Sequence, residues 1–135
     1  VKPLYNKKYE WEIIRFCNKL NTSVVGGFSK LLKYFKNEHN GSIITYADKR
    51  HSNGNLYKNN GFEELHDSKP NYFYVKKRDI FSREKFQKHK LKDLFENFNP
   101  DLTEWENMQL NNYDRIWDCG NKVFELRQKN FTNLF

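Results

Sequence analysis

Between residues 26 and 48 the apolar period changes from helical to extended within a single turn's length. In "GGFSKLLKYF" Phe28, Leu31, Leu32 and Phe35 fall at i, i+3, i+4 and i+7, one apolar face of a helix opening at Gly26-Gly27. "EHNG" ends it, and "SIITYAD" follows as a short apolar strand. A strand on the other side of that helix would complete a crossover unit with parallel neighbours. The preceding segment, "KYEWEIIRFCNKL", fits two patterns. Tyr9, Ile13, Phe16 and Leu20 have helical spacing, while Trp11, Ile13, Arg15 and Cys17 alternate as in a strand.

The polar run "YADKRHSNGNLYKNNGF" predicts a brief helix capped by Ser52 and running to Asn60, with Gly61 at the left-handed stop. "FEEL" and "NYFYVKK", separated by "HDSKP", predict an antiparallel pair. "SREKFQKHKLKDLFENF" predicts one helix with Ser82 as N-cap and Glu84 in its first turn. On that helix Leu91, Leu94, Phe95 and Phe98 share one side, and Lys85, Lys88, His89 and Lys92 the other. Thr103-Glu-Trp-Glu106 reads as a capping box. "YDRIWDCGNKVFELR" reads as a hairpin of two alternating strands joined across Cys119-Gly120-Asn121. The tail "QKNFTNLF" is expected to fray or to pack through its Phe residues.

The predicted class is therefore α/β with a mixed sheet (α+β). A strand-helix-strand-helix-strand-strand core over residues 10–77 is followed by two helices and a hairpin over 78–135. A length of 135 residues fits a single domain, 1–135, with no repeat or linker. No apolar run approaches a membrane span, and "VKPLYNKKYEW" has no signal-peptide core, so an intracellular location is expected. A chain beginning at Val1 without methionine reads as a piece of something longer. Cys17 and Cys119 are expected as reduced, buried thiols, and His39, His51, His66 and His89 show no metal spacing, so no metal is expected.

Twenty-four Lys and Arg stand against seventeen Asp and Glu, a net charge of +7 that favours polyanionic partners. Nuclease chemistry needs clustered carboxylates for a divalent cation, or a histidine beside a metal pair. Asp101, Glu104 and Glu106 come without the lysine that would complete such a site, and the capping box accounts for Glu106. No Ser/His/Asp or Cys/His order suggests an activated nucleophile. The expected DNA-binding residues are Arg50, His51, Asn53 and Asn55 in the polar run, Lys76, Lys77 and Arg78 in "YVKKRD", and Arg83, Lys85, Lys88, His89 and Lys92 after it. The cations suit phosphates, and Arg and Asn suit guanine and adenine edges.

Two resemblances add to this reading. "VVGGFSKLL" and "NGNLYKNNGF" look like the two signature turns of GCN5-related N-acetyltransferases. That resemblance implies a strand at "EWEIIRFC", acetyl-CoA on the turn of Gly26, Gly27 and Ser29, and Tyr57 as proton donor to the departing thiolate. The chain departs from that family's pattern at Ser23, where Arg or Gln is usual, and at Phe28, where a small residue lets phosphate approach. Arg50 and Asn53 likewise replace the usual Asn and Ala. Tyr57 is accordingly read as a packed aromatic, with neither catalytic residue nor cofactor expected. The second resemblance spans nearly the whole chain. "RFCNKLNTSVVGGFSKLLKYF", "SIITYADKRHSNGNLYKNNGF", "KPNYFYV", "SREKFQKHKL" and "TEWENMQLNNYDRIWDCGNKVFEL" together resemble the carboxyl-terminal region of phage-type homing-endonuclease-like proteins. It implies a non-catalytic DNA-recognition or accessory domain on an acetyltransferase-like scaffold, in a bacterial host's cytoplasm, with a nuclease module elsewhere on a longer chain. An active acetyltransferase and a protein-interaction module are the competing expectations.

Overall fold

The computed structural model describes residues 1–128 of the chain. It is a mixed α/β protein with two sheets and four α-helices among those residues. The chain forms two compact units: Val1–Ser68 with the return from Gly120, and Lys69–Cys119.

In the first unit, β1 (Trp11–Ile13) leads through α1 (Gly27–Glu38) to β2 (Ile43–Asp48). β1 and β2 pair in parallel, Trp11 opposite Ile43, as the alternation of elements predicts. Strand β2 continues through α2 (Asn55–Lys58) to β3 (Glu63–Asp67), but β3 does not pair with the strand that follows it. The last strand, β7 (Asn121–Leu126), lies between β2 and β3, antiparallel to both, giving the order β1-β2-β7-β3. Strands β1, β2 and β3 therefore run in one direction with β7 reversed among them. Alternate residues divide the faces. Ile43, Ala47, Phe124 and Leu126 meet Phe28, Tyr57 and Phe62 in the principal core. Ile44 and Val123 face the other way, beneath Tyr9.

Phe28, Leu32 and Phe35 pack as the helical period requires, whereas Leu31 remains 62% exposed. Phe28 stands where the acetyltransferase pattern has a small residue. Its ring is buried, edge-on to Phe16 and Tyr57 at 5.2 and 5.7 Å. Tyr57 is buried too, between Phe28, Phe62 and Phe124. The short helix is capped by Gly54 rather than Ser52, whose hydroxyl instead accepts from the Gly54 N–H, 3.1 Å. Gly61 has the left-handed φ of 86° expected of it.

The second unit holds β4 (Tyr72–Lys76), β5 (Asp79–Ser82), a 3₁₀ turn (Arg83–Phe86), α3 (Lys88–Leu94), α4 (Glu104–Leu110) and β6 (Asp114–Trp117). Its antiparallel sheet has the order β5-β4-β6. Tyr74, Phe86, Leu91 and Met108 are buried together, with Phe81, Phe95, Trp105 and Tyr113 packed around them. Asn107 is fully buried and ties the 99–103 loop to α4. Its amide nitrogen donates to the carbonyls of Asn99, Leu102 and Thr103, and its oxygen accepts from the Asn99 N–H at 2.8 Å. The capping box at Thr103 and Glu106 is present.

Four expectations are corrected. The segments around 62–65 and 71–77 are strands, but of different sheets. Residues 113–127 are no hairpin, since β6 pairs with β4 and β7 returns to the first unit. The helix expected over 82–98 is broken at Gln87, whose backbone is extended between the 3₁₀ turn and α3. Both cysteines are exposed rather than buried. The expected tail, apart from Gln128, lies outside the described residues.

Candidate nucleic-acid interface

The expected DNA-binding residues fall into two groups, one in each unit. Arg50, His51, Asn53 and Asn55 lie in the first, between β2 and α2. There Arg50 forks onto Asp48, its Nη2 2.7 Å and its Nε 3.1 Å from the carboxylate oxygens. This hydrogen bonding to Arg50 holds the Asp48 carboxyl down at about 2. Asn53 Oδ1 accepts from the Asn55 N–H at 3.2 Å, an Asx turn leading into α2. Arg50 and Asn53 thus build the junction, which corrects the expectation that these side chains are left free for a ligand.

The same habit pervades the first unit. Lys49 pairs with Asp67, Lys58 and Lys122 share Glu64, Lys122 also reaches Asp67, and Arg127 meets the buried Glu125. Each of the six ion pairs among the described residues lies in this unit.

The second unit disposes its cations differently. Between residues 76 and 92 there are eight Lys and Arg and two Asp and Glu; between 93 and 119 there are one and seven. Lys76, Lys77 and Arg78 form the tip of the β4–β5 hairpin, where Lys76 pairs with Asp79 across a two-residue loop. Lys77 has a φ of 57°. A two-residue hairpin loop asks for positive φ and ordinarily takes Gly, Asn or Asp, so a lysine there carries a backbone strain of about 1–2 kcal/mol. Ser82 accepts from the Glu84 N–H and starts the turn that projects Arg83 and Lys85. The break at Gln87 then separates Lys85 from α3, so the expected single helical face is corrected to two patches. Lys88 and Lys92 sit one turn apart on α3 beside His89, all exposed.

Aromatic rings carry several of these cations. Lys76 Nζ lies 4.8 Å from the centre of Tyr113, Lys85 Nζ 4.7 Å from Phe81, and the Arg83 guanidinium 4.9 Å from Tyr72. A cation over a ring keeps its full charge, whereas one paired with a carboxylate is neutralised locally.

Sequence reasoning missed Arg115. Its guanidinium lies 4.3 Å from the Tyr72 ring and 4.2 Å from that of Trp105, and its buried Nε has no hydrogen-bond partner among the described residues. Beside it, Glu104 accepts from the hydroxyls of Tyr74 (2.6 Å) and Tyr72 (3.3 Å). Burial, then the Glu104 bond, pushes the Tyr74 phenol well above its ordinary value. The available signal was the alternation of "DRIW", which sets Arg115 and Trp117 on one face.

No group of three or more His, Cys, Asp or Glu suited to a metal occurs among the described residues. No helix among them is long and apolar enough to cross a membrane. Gly27 N–H, on the turn that the acetyltransferase resemblance would give to a cofactor, donates to the Val24 carbonyl at 3.1 Å. In comparisons with known proteins, no family model, curated protein or solved structure matches the chain.

Proposed function

We propose that the chain is a non-catalytic DNA-binding accessory domain of the homing-endonuclease-like type, holding the phosphate backbone with the cations of residues 76–92. The observation that carries this reading is their state. They are concentrated in a short run, Lys76, Arg83 and Lys85 lie over aromatic rings, and the six ion pairs seen between described residues lie in the other unit. Cations in this condition displace counterions from a polyanion without first giving up a carboxylate partner. Lys77 at the hairpin tip adds a second argument, because a strained backbone is retained where it presents a useful side chain.

The test is fluorescence anisotropy of the protein with labelled duplex DNA at two salt concentrations. Affinity is expected to fall steeply with salt. Changing Lys85, Lys88 and Lys92 together to Glu should weaken every duplex alike and flatten the logarithmic salt dependence by about 3. Absence of duplex binding at low salt would overturn the proposal.

One feature favours a protein-interaction module as the second reading. An apolar groove of about 390 Å³, lined by Trp11, Ile14, Phe16, Leu31 and Phe35 among others, runs beside β1, an edge strand of its sheet. Edge strands beside apolar grooves accept extended peptides. Duplex affinity that is lacking, or insensitive to salt, would support this reading instead.

A further inference from the structure

The core face of the second sheet extends beyond the side chains that cover it. Tyr72 and Trp117 are directly opposite on β4 and β6, on the same face as Tyr74 and Arg115. Tyr74 is fully buried, but Trp117 remains 59% exposed, with its ring 4.9 Å from that of Tyr72. Tyr72 in turn lies against two guanidinium groups, Arg83 at 4.9 Å and Arg115 at 4.3 Å. Beside Tyr72 opens a hollow of about 380 Å³, lined by Asn71, Tyr72, Ser82, Arg83, Glu84 and Gln87 among others. The Tyr72 ring is thus held by the exposed Arg83 and by Arg115, and its neighbour Trp117 is the ring open to a ligand.

Two adjoining aromatics, one of them exposed, with an arginine at their border have the chemistry of a stacking platform. In a duplex the ring faces of bases are covered by their neighbours, so only an unpaired base can lie flat on Trp117. The nearby chain supplies the charge such a strand needs, since Arg83 opens the cationic 83–92 stretch. We propose that Trp117, backed by Tyr72, stacks an unpaired nucleobase, with Arg83 on its phosphate, so that the unit binds single-stranded nucleic acid at this end. This rests on the nucleic-acid reading above and narrows its substrate class.

The probe is an oligothymidylate of about twelve nucleotides, compared with a duplex of the same length, by anisotropy and by tryptophan fluorescence. The wild-type protein is expected to bind the single strand with quenching of its tryptophan emission. Trp117→Ala should weaken single-strand binding about tenfold and leave duplex affinity within about twofold, and Trp117→Phe should keep most of it. Arg83→Gln, a change at an exposed side chain, should weaken single-strand binding severalfold and keeps the test decisive if Trp117→Ala disturbs the fold. Duplex binding that persists while Trp117→Ala and Arg83→Gln leave the single strand unaffected would overturn the platform alone. Binding to neither nucleic acid would overturn the platform together with the DNA-binding reading.

Discussion

Gly54→Ala is expected to destabilise the first unit severely, although it adds one methyl group. Gly54 caps α2 with φ 79° and ψ 12°, a left-handed conformation that costs an alanine about 1–2 kcal/mol. The new Cβ would also stand 2.1 Å from Phe124 Cζ and 2.3 Å from Cε2. Phe124 cannot yield by swinging outward, because it is fully buried and packed against Tyr57 at 5.5 Å. Forcing an overpacked core apart adds about 1–3 kcal/mol. The sum, about 2–5 kcal/mol, is a large part of an ordinary domain's stability. Gly61→Ala supplies the control. Its φ of 86° exacts the same backbone penalty, but its Cβ would meet only Leu126 Cδ1, at an ordinary 3.8 Å. That variant should lose about 1–2 kcal/mol. Urea unfolding, read through hydrogen exchange of the β2 and β7 amides, keeps the measurement within the first unit. Equal losses in the two variants, or a Gly54→Ala midpoint close to wild type, would refute the packing argument.

Tyr9→Phe removes the 2.6 Å hydrogen bond to the buried Glu125 carboxylate and should cost about 1–3 kcal/mol at neutral pH, measured by urea titration. Burial, with Glu125 behind it, pushes the Tyr9 phenol from 10.0 up to about 12, so the folded form keeps a proton that the unfolded chain releases. Its stabilisation is present below pH 10 and is lost as pH rises towards 12. The alkaline limb of the wild-type stability curve should therefore shrink in Tyr9→Phe. At the acid end Asp48 has the opposite sign: its contribution is present above pH 3.8 and disappears as pH falls through about 2, and Asp48→Asn should flatten that limb. Asn107→Asp sets a carboxylate against the carbonyls of Asn99, Leu102 and Thr103, and a loss of about 3 kcal/mol or more is expected from denaturant midpoints. Thr103→Ala breaks the capping box and should cost about 1 kcal/mol by the same measurement.

What could be read along the chain was whatever neighbouring residues decide among themselves. The period of Phe28, Leu32 and Phe35, the strand at 43–48, the capping box and the left-handed Gly61 all depend on groups a few positions apart. Partner strands do not. A period of two states that residues 121–126 have two faces, but it does not name the strand opposite. Cys119-Gly120-Asn121 also looks the same whether it closes a hairpin or carries the chain back to the first unit. The decision rests with burial: Phe124 and Leu126 fill the core beneath α1 and α2, and Val123 meets Ile44 on the reverse face. Gln87 escaped for a related reason, since nothing in its own identity breaks a helix and only the packing of Phe86 and Leu91 shows the interruption.

The candidate interface divides along the same line. Its cations were visible as a run, but their partners were not, because Lys122 finds Glu64 and Lys49 finds Asp67 only after the sheet has formed. Folding thus sorts the positive charges. In the first unit Lys49, Arg50, Lys58, Lys122 and Arg127 already answer carboxylates, and a phosphate approaching any of them competes with a bond in place. In the second, Lys76, Lys85 and Arg83 rest on rings that take none of their charge away. Net charge over the whole chain cannot distinguish these conditions, and counterion release depends on the difference. A polyanion should therefore respond to mutation at 76–92 far more than at 49–58, although both stretches carry net positive charge.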